Sequence, residues 1–443
     1  MLFCPFYIFS QEVWTLDKCI KYALKNNIDV KQNEIQIQQN KIDVKQSLEN
    51  ILPNLNFSGS QNHLFGRSYD PVINQYQSEK TISANYNIST QLTLFDGFQG
   101  YNNYRKNKYH LLAEIEHTKD LKFNIVQEII NAYFQVLYKR DLHNNSLRLL
   151  KLSERKLQQS NTLVEVGQLS HAKFLEVYAL KEKEVYNTIQ AENEFNIALL
   201  ALQHKMNLRK VIEISPLIDS NFVQDTIMNV DSIYNSIIHS FPKLRELEYT
   251  RLAAEKELVL SRNKCLPSLS LSAKVGTQYS DRNSLFFGFD NEGNRIFQDE
   301  YLYYNQILDN TNSSISVNIA VPIFNNFHVK NSVSRAKLKL QSIENEIERH
   351  RKLIYKDICE IQLEITAAIS SLKSAQQFYN AQLELFNDAS KKYTIGEMNY
   401  IDYITIKNEL SEAESNLAYS RYSYLFKRKI LDVIISPQII SNW

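Results

Sequence analysis

Glycine and proline are scarce in this sequence, with 9 glycines and 8 prolines among 443 residues. Because both residues end helices and shape turns, stretches without them can form long uninterrupted helices. Neither sign of charge is in excess, since 50 basic and 49 acidic residues leave a formal net charge of +1. Proteins that bind nucleic acids usually carry a basic excess on one face, so we expect no nucleic-acid partner.

Cysteines and long apolar runs are also few. The four cysteines are widely spaced and form no CxxC pair: Cys4, Cys19, Cys265 and Cys359. This spacing argues against a disulfide framework or a zinc site. No stretch approaches the roughly 18 apolar residues of a membrane-spanning helix. The apolar run Leu2–Phe9 predicts a truncated signal peptide over residues 1–10, with an ordinary apolar N-terminal segment as the alternative.

Two long runs contain neither glycine nor proline, from Tyr101 to Val166 and from His328 to Ile395. At about 1.5 Å per residue, either run could form a helix of roughly 100 Å. Each run ends at a single glycine, Gly167 or Gly396, and a second run without glycine or proline follows. The pattern predicts two long helical hairpins with their tips at residues 167 and 396.

The two halves of the chain resemble each other. At one constant offset, residues of the first half recur in the second: Asp17, Leu52, Pro53 and Leu55 as Asp231, Leu266, Pro267 and Leu269. At a second, larger offset, three more recur: Phe95, Phe98 and Gly167 as Phe324, Phe327 and Gly396. The change of offset implies a longer loop in the second half, around residues 281–312. We therefore predict two structural repeats, 11–228 and 229–443.

Between the predicted helices, apolar and polar residues alternate with a period of two. Three runs show this pattern: Ile82–Leu94, Leu269–Tyr279 and Ile315–Ile323. The pattern predicts β-hairpins at about residues 55–95 and 269–324, and strands of about ten residues can cross a membrane when tilted. A soluble sandwich would bury the apolar faces instead, but the long flanking helices leave no second sheet to pack against. We therefore expect the apolar faces to contact lipid.

A membrane sheet made of these strands must close on itself, because unpaired backbone groups are very costly in hydrocarbon. Four strands are too few, since the smallest barrels have about eight. Several copies of the chain must therefore share one barrel. The residues predict an oligomer without fixing the number of copies.

The run that ends before Gly396 has a sustained heptad pattern, which is typical of coiled-coil packing. Its apolar positions are spaced by four and three residues: Ile354, Ile358, Ile361, Ile365, Ala368, Leu372, Ala375, Tyr379, Phe386, Ala389 and Tyr393, with Gln382 as the one polar member. The return helix has a similar series: Ile406, Leu410, Ala413, Leu417 and Tyr424. We predict that the two helices pack in an antiparallel pair.

Taken in order, these features resemble TolC-type outer-membrane efflux proteins. The motifs that carry the resemblance are a Leu-Pro pair before each hairpin, the strand ends Leu92–Gly97 and Val321–Phe324, and the turns Val166-Gly167 and Ile395-Gly396. The resemblance implies an α+β membrane protein with internally duplicated helical hairpins that form a coiled-coil tunnel. It also implies that two transmembrane β-hairpins contribute four strands to a shared, trimeric twelve-strand barrel.

The same resemblance implies a function and a set of partners. The chain would be the passive exit duct of a tripartite efflux or type I secretion system, in the outer membrane with its helices in the periplasm. Its partners would be two further copies of itself, a periplasmic adaptor (membrane-fusion) protein, an inner-membrane RND or ABC-type transporter, and outer-membrane lipid. A soluble periplasmic coiled-coil scaffold without a transport role is the alternative.

Two groups of candidate site residues follow from matching the family's pattern. The adaptor-contact tips are Val166, Gly167, Gln168, Leu169, Ser170, Ile395, Gly396, Glu397, Met398 and Asn399. The candidate periplasmic gate consists of Asp402, Tyr393 and Lys173. Asp402 would form a ring of carboxylates at the constriction, or simply cap a helix. Tyr393 also extends the heptad pattern, which favours a packing role over a gate role.

The sequence departs from the family's pattern at two gate positions. Lys173 occupies the place in the first repeat that Asp402 occupies in the second, and Met398 stands where an arginine is expected. We therefore expect a different latch, in which Lys173 could pair with Asp402 across neighbouring helices.

Motifs for enzymatic chemistry are missing from the sequence. No GxxxxGK, HExxH, GxSxG or GxGxxG pattern occurs, and the nine histidines are scattered. We expect no catalytic, cofactor or metal site. The stretch Asp290–Gly293 lacks the spacing of a calcium loop and is predicted to be a turn, and the aromatic-rich loop Leu285–Tyr304 is predicted to form the extracellular rim.

Overall fold

The fold is taken from a computed structural model of the chain. The described residues are 13–70, 74–77, 80–210, 212–215, 229–281, 283, 285–289, 292, 295–298 and 301–435. The predicted signal peptide lies outside them, as does most of the turn predicted at Asp290–Gly293. Among the described residues, no helix combines the length and the apolar character needed to cross a membrane.

Helices make up most of the described chain. In order, they are α1 (Leu16–Asn26), α2 (Ile28–Glu49), α3 (Gln99–Glu165), α4 (His171–Lys205), α5 (Val230–Ile237), α6 (Pro242–Asn263), α7 (Tyr303–Asp309), α8 (His328–Thr394) and α9 (Tyr400–Ile435). The predicted hairpins are therefore the pairs α3–α4 and α8–α9. Their first helices contain 67 residues each, as expected for sequences without internal glycine or proline.

Strands occupy the two segments rich in glycine and proline, and short strands occur elsewhere. In order, they are β1 (Val13–Trp14), β2 (Asn54–Leu64), β3 (Ser68–Asp70), β4 (Gln75–Gln77), β5 (Thr81–Phe95), β6 (Glu213–Ile214), β7 (Ser268–Ser280), β8 (Leu285–Phe289), β9 (Arg295–Gln298) and β10 (Asn312–Ala320). β1 and β6 form a parallel pair, while β3–β4 and β8–β9 form small antiparallel pairs.

The described chain divides into two compact units. One contains the described residues within 13–38, 112–248 and 345–435, and the other contains those within 39–111 and 249–344. The core of the first unit is apolar and fully enclosed, with Ile20, Val126, Ile129 and Leu202 all completely buried. The predicted heptad positions of α8 from Ile354 to Tyr393 are all buried or half-buried, so this stripe is the packing face of the helix.

The second unit contains an antiparallel sheet in the order β10-β7-β5-β2. Its register aligns the alternating patterns, so Phe57, Ile88 and Val275 form one row across three strands. A register shift between Thr93 and Phe95 marks a bulge, so Phe95 rather than Leu94 pairs with Leu269. The predicted alternation of apolar and polar residues along β5 is therefore wrong at Leu94.

Two further differences from the predicted hairpins have physical causes. β10 ends at Ala320 and not near Phe324, because Pro322 lacks the N–H group that strand pairing requires. The segment predicted as a rim loop contains β8, β9 and part of α7. α7 is held to β7 by Gln306, which is 1% exposed and accepts a hydrogen bond from the Ser280 N–H over 3.1 Å.

Candidate functional site

The tips of the two helical hairpins have the same backbone geometry. Gly167 and Gly396 have φ values of 76° and 83°, a region that favours glycine. At the first tip, the Gln168 N–H donates to the Leu163 carbonyl over 2.8 Å; at the second, the Glu397 N–H donates to the Lys392 carbonyl over 2.9 Å. These are Schellman turns, so the predicted glycine role is confirmed.

Each return helix begins at the predicted cap. The Ser170 hydroxyl accepts a hydrogen bond from the Lys173 N–H over 3.3 Å, and the Asn399 side chain accepts one from the Asp402 N–H over 2.8 Å. Val166 and Ile395 are 62% and 68% exposed beside the glycines. Each tip therefore exposes an apolar side chain beside polar groups, and a second apolar side chain, Leu169 or Met398, lies half-buried next to it.

Asp402 is exposed in the first turn of α9. Its carboxylate accepts a hydrogen bond from the Asn399 amide over 2.7 Å. The Asn399 side chain in turn accepts one from the Asp402 N–H, so the two residues form a reciprocal pair of hydrogen bonds. This arrangement stabilises the start of the helix and leaves the carboxylate accessible. Lys173 is also exposed, and no ion pair joins it to Asp402 in the part of the chain that the structure describes.

Tyr393 stacks on Tyr403 with ring centroids 4.6 Å apart. The Lys156 ammonium lies 3.4 Å from the Tyr403 centroid and 4.7 Å from the Tyr393 centroid. Tyr393 therefore packs against Tyr403 within one chain and forms part of a cation–π site.

Next to this site, α9 carries a buried ion pair that the sequence did not reveal. The Lys407 ammonium donates to the Glu184 carboxylate over 2.8 Å and to the Ser153 hydroxyl over 3.1 Å. The side chains of Lys407 and Glu184 are 2% and 7% exposed. The contact joins α3, α4 and α9. We call the set Ser153, Lys156, Glu184, Tyr393, Tyr403 and Lys407 the lysine cluster.

The stripe that α9 buries explains why this pair was missed. The predicted series began at Ile406, but the buried positions include Tyr403, Lys407, Leu410 and Glu414. Charged residues alternate with apolar ones along this stripe, and Glu414 accepts a hydrogen bond from Arg148. The buried positions follow alternating steps of four and three residues. This spacing could have identified Lys407 if charged side chains had been allowed at the buried positions.

The lowered pKa of Lys156 makes the folding stability depend on pH. Burial, together with repulsion from Lys407, lowers the pKa of Lys156 to about 7 from its usual 10.5. Between these two values the unfolded chain binds a proton that the folded chain does not, so folding stability rises with pH across that window. The ring faces favour the ammonium and reduce the effect.

We therefore expect the unfolding temperature to rise between about pH 6 and pH 8.5 more in the unmodified protein than in Lys156→Met, because the folded-state pKa lies within this range. Circular dichroism during thermal unfolding measures the difference. Lys151→Met removes an exposed lysine of the same helix and should leave the pH dependence unchanged. Equal pH dependence in the unmodified protein and Lys156→Met would contradict the assignment.

The four-stranded sheet separates apolar from polar side chains. On one face lie Leu55, Phe57, Ile315, Val317 and Ile319, which are 63–78% exposed. On the other face lie hydroxyl and amide side chains: Asn56, Ser58, Ser60, Ser89, Ser272, Ser316 and Asn318. β2 and β10 each pair with one neighbour in the described sheet, so each has a second edge available for pairing. One face suits hydrocarbon and the other suits water.

Comparison with known proteins agrees with this architecture. The family profile described as Outer membrane efflux protein matches residues 19–207 and 233–434. The chain is 21% identical to the Cation efflux system protein CusC of Escherichia coli O157:H7, over 96% of this chain and 85% of that protein. It is 20% identical to the Outer membrane protein TolC of Salmonella enteritidis, over 80% of this chain and 70% of that protein.

The fold agrees as well. The crystal structure of the Campylobacter jejuni CmeC outer membrane channel superimposes with a TM-score of 0.77 at 16% identity, over 95% of this chain and 85% of that chain. The chain therefore shares the fold of this channel. Because the family profile covers most of the sequence in two consecutive segments, the chain belongs to the outer membrane efflux protein family.

Proposed function

We propose that this outer-membrane efflux protein is the passive exit duct of a tripartite efflux or type I secretion system. The observation that carries the proposal is the sheet with one apolar and one polar face. Such a sheet is stable in hydrocarbon only when its backbone edges are paired. Three copies, each joining its β2 edge to the β10 edge of the next, would close a barrel of twelve strands around a polar lumen.

The helical hairpins fit the periplasmic part of such a machine. We infer that the tips at residues 166–170 and 395–399 contact a periplasmic adaptor, which in turn engages an inner-membrane RND or ABC-type transporter. The exposed Val166 and Ile395 beside rigid Schellman turns support this inference, because a preorganised apolar contact loses little entropy on binding. The family relationship supports it independently.

We also infer that the chain arose by duplication, with repeats at residues 11–228 and 229–443. α3 and α8 each contain 67 residues, and each is followed by the same turn and by a capped return helix. A duplicated unit supplies two β-hairpins and two helical hairpins from each chain. The trimer would then have six helical hairpins around its axis.

Membrane fractionation followed by sizing in detergent tests the proposed function. We expect the protein in the outer-membrane fraction, extracted only by detergent, with a protein mass about three times that of one chain once bound detergent is subtracted. A soluble monomer would overturn the proposal in favour of a periplasmic scaffold.

The gate role of Asp402 makes a separate prediction. In the trimer, three exposed Asp402 carboxylates at the helix tips would favour cations and narrow the opening. We expect Asp402→Ala to raise single-channel conductance or weaken cation selectivity in planar bilayers. Asp402→Asn retains the hydrogen bonding to Asn399 and separates the effect of charge from that of the helix cap. Unchanged conductance and selectivity in both variants would contradict the role.

A further inference from the structure

The polar face of the sheet contains one fully charged side chain. Across β2, β5, β7 and β10, all of which the structure describes, Lys274 is the one lysine, arginine, aspartate or glutamate. The remaining polar positions are serine, threonine, asparagine and glutamine. A wall of hydroxyl and amide groups has little preference for either sign of charge. The charge of this face is therefore set by Lys274.

The strand register places Lys274 within the polar face and away from the apolar one. It lies opposite Ser314 of β10 and Ser89 of β5, and Ser89 lies opposite Asn56 of β2. The whole row is hydrophilic. The neighbouring position, Val275, belongs to the row of Phe57 and Ile88 on the other face.

The Lys274 side chain lies along the sheet over a glycine. Its Cε atom is 3.7 Å from the place where a Cβ atom of Gly276 would lie, so the aliphatic part of the lysine lies at ordinary van der Waals distance beside this glycine. The residue is exposed, and no carboxylate among the described residues forms an ion pair with it. Its charge is therefore not neutralised by a neighbour on the described sheet.

We propose that Lys274 faces the lumen of the barrel and gives the exit segment a preference for anions. The inference rests on the proposed trimer, in which three Lys274 ammonium groups lie at one level of the pore. A ring of like charges raises the local concentration of the opposite ion. Anionic solutes would therefore pass this segment more easily than cationic solutes of the same size.

The strength of the effect depends on salt. The Debye length is about 10 Å at 0.1 M salt and about 3 Å at 1 M. For ions that pass about 10 Å from each ammonium, three charges change the ratio of anion to cation concentration by roughly two- to fivefold at 0.1 M. At 1 M the charges are screened, and the preference should almost disappear.

Reversal potentials of the purified channel in planar bilayers test the proposal, with a KCl gradient whose concentrated side is about 0.1 M. We expect Lys274→Gln to lower the ratio of chloride to potassium permeability by roughly two- to fivefold, and Lys274→Glu to lower it further. Lys274→Arg is the matched control, since it keeps the charge and should keep the selectivity. In about 1 M salt all four proteins should be alike.

Two outcomes overturn the proposal in distinguishable ways. Channels of Lys274→Gln and Lys274→Glu with the reversal potential of the unmodified protein at low salt would show that Lys274 does not act on ions, while leaving the proposed duct intact. Failure of the unmodified protein to form channels at all would overturn the duct itself, and this inference with it. A change in Lys274→Arg as large as that in Lys274→Gln would assign the effect to side-chain shape and not to charge.

Discussion

Replacement of Lys407 with methionine is expected to destabilise the folded protein by roughly 3–5 kcal/mol. Methionine has a similar volume, so the change removes the ammonium without leaving a large cavity. The Glu184 side chain, 7% exposed, would then have the Asn187 amide at 3.5 Å as its remaining side-chain donor among the described residues. A buried carboxylate without a countercharge is costly, and this penalty is the source of the expected loss.

The double variant Lys407→Met with Glu184→Leu separates the cost of the orphaned charge from the value of the pair. Replacing both partners of a buried pair by apolar residues is often neutral or stabilising, so we expect the double variant to regain most of the stability. Lys427→Met is the control on the same helix, because the Lys427–Glu364 pair is 3.7 Å apart and Glu364 is 55% exposed. Such surface pairs contribute at most about 1 kcal/mol.

Urea unfolding in detergent, at one fixed protein concentration, measures these differences, since an oligomer's apparent stability depends on concentration. If Lys407→Met were as mild as Lys427→Met, the pair would not be buried in the assembled protein. If the double variant were as unstable as Lys407→Met alone, the loss would come from packing and not from charge.

Most of the architecture could be predicted from local sequence because its causes are local. Gly167 and Gly396 interrupt two runs that otherwise lack helix breakers, and a glycine at positive φ ends a helix wherever it occurs. Alternation with a period of two predicts a two-faced strand without knowledge of its partners. The helices, hairpin tips and sheet faces were therefore accessible from the sequence.

Features that depend on distant contacts could not be predicted in this way. The bulge at Leu94 arises from the register between β5 and β7, whose residues are far apart in the chain. The contact between Gln306 and Ser280 is similar, since nothing near Gln306 in sequence indicates that its side chain will be buried. Lys407 and Glu184 were missed because charged residues on a helix usually face solvent, and the contact that buries them joins helices that are far apart in the chain.

Adjacent residues of β10 lie on opposite faces of the sheet, so a lysine is expected to be costly at one position and tolerated at the next. Val317 lies near the middle of β10 on the apolar face and is 63% exposed in the single chain. On the duct interpretation this exposed side chain contacts hydrocarbon. Val317→Lys is therefore expected to cost roughly 2–4 kcal/mol per chain, the usual penalty for a lysine near the midplane of a membrane barrel.

Ser316→Lys is the matched control, because it adds the same side chain one residue earlier and on the polar face. We expect Ser316→Lys to assemble like the unmodified protein and Val317→Lys to give less trimer in the outer-membrane fraction. Unfolding of vesicle-inserted protein in urea measures the difference in free energy. If Val317 faced water, both lysines would be tolerated equally; if it packed inside a soluble core, Val317→Lys would abolish folding even in the absence of lipid. A loss that requires the membrane therefore distinguishes a lipid-facing valine from both alternatives.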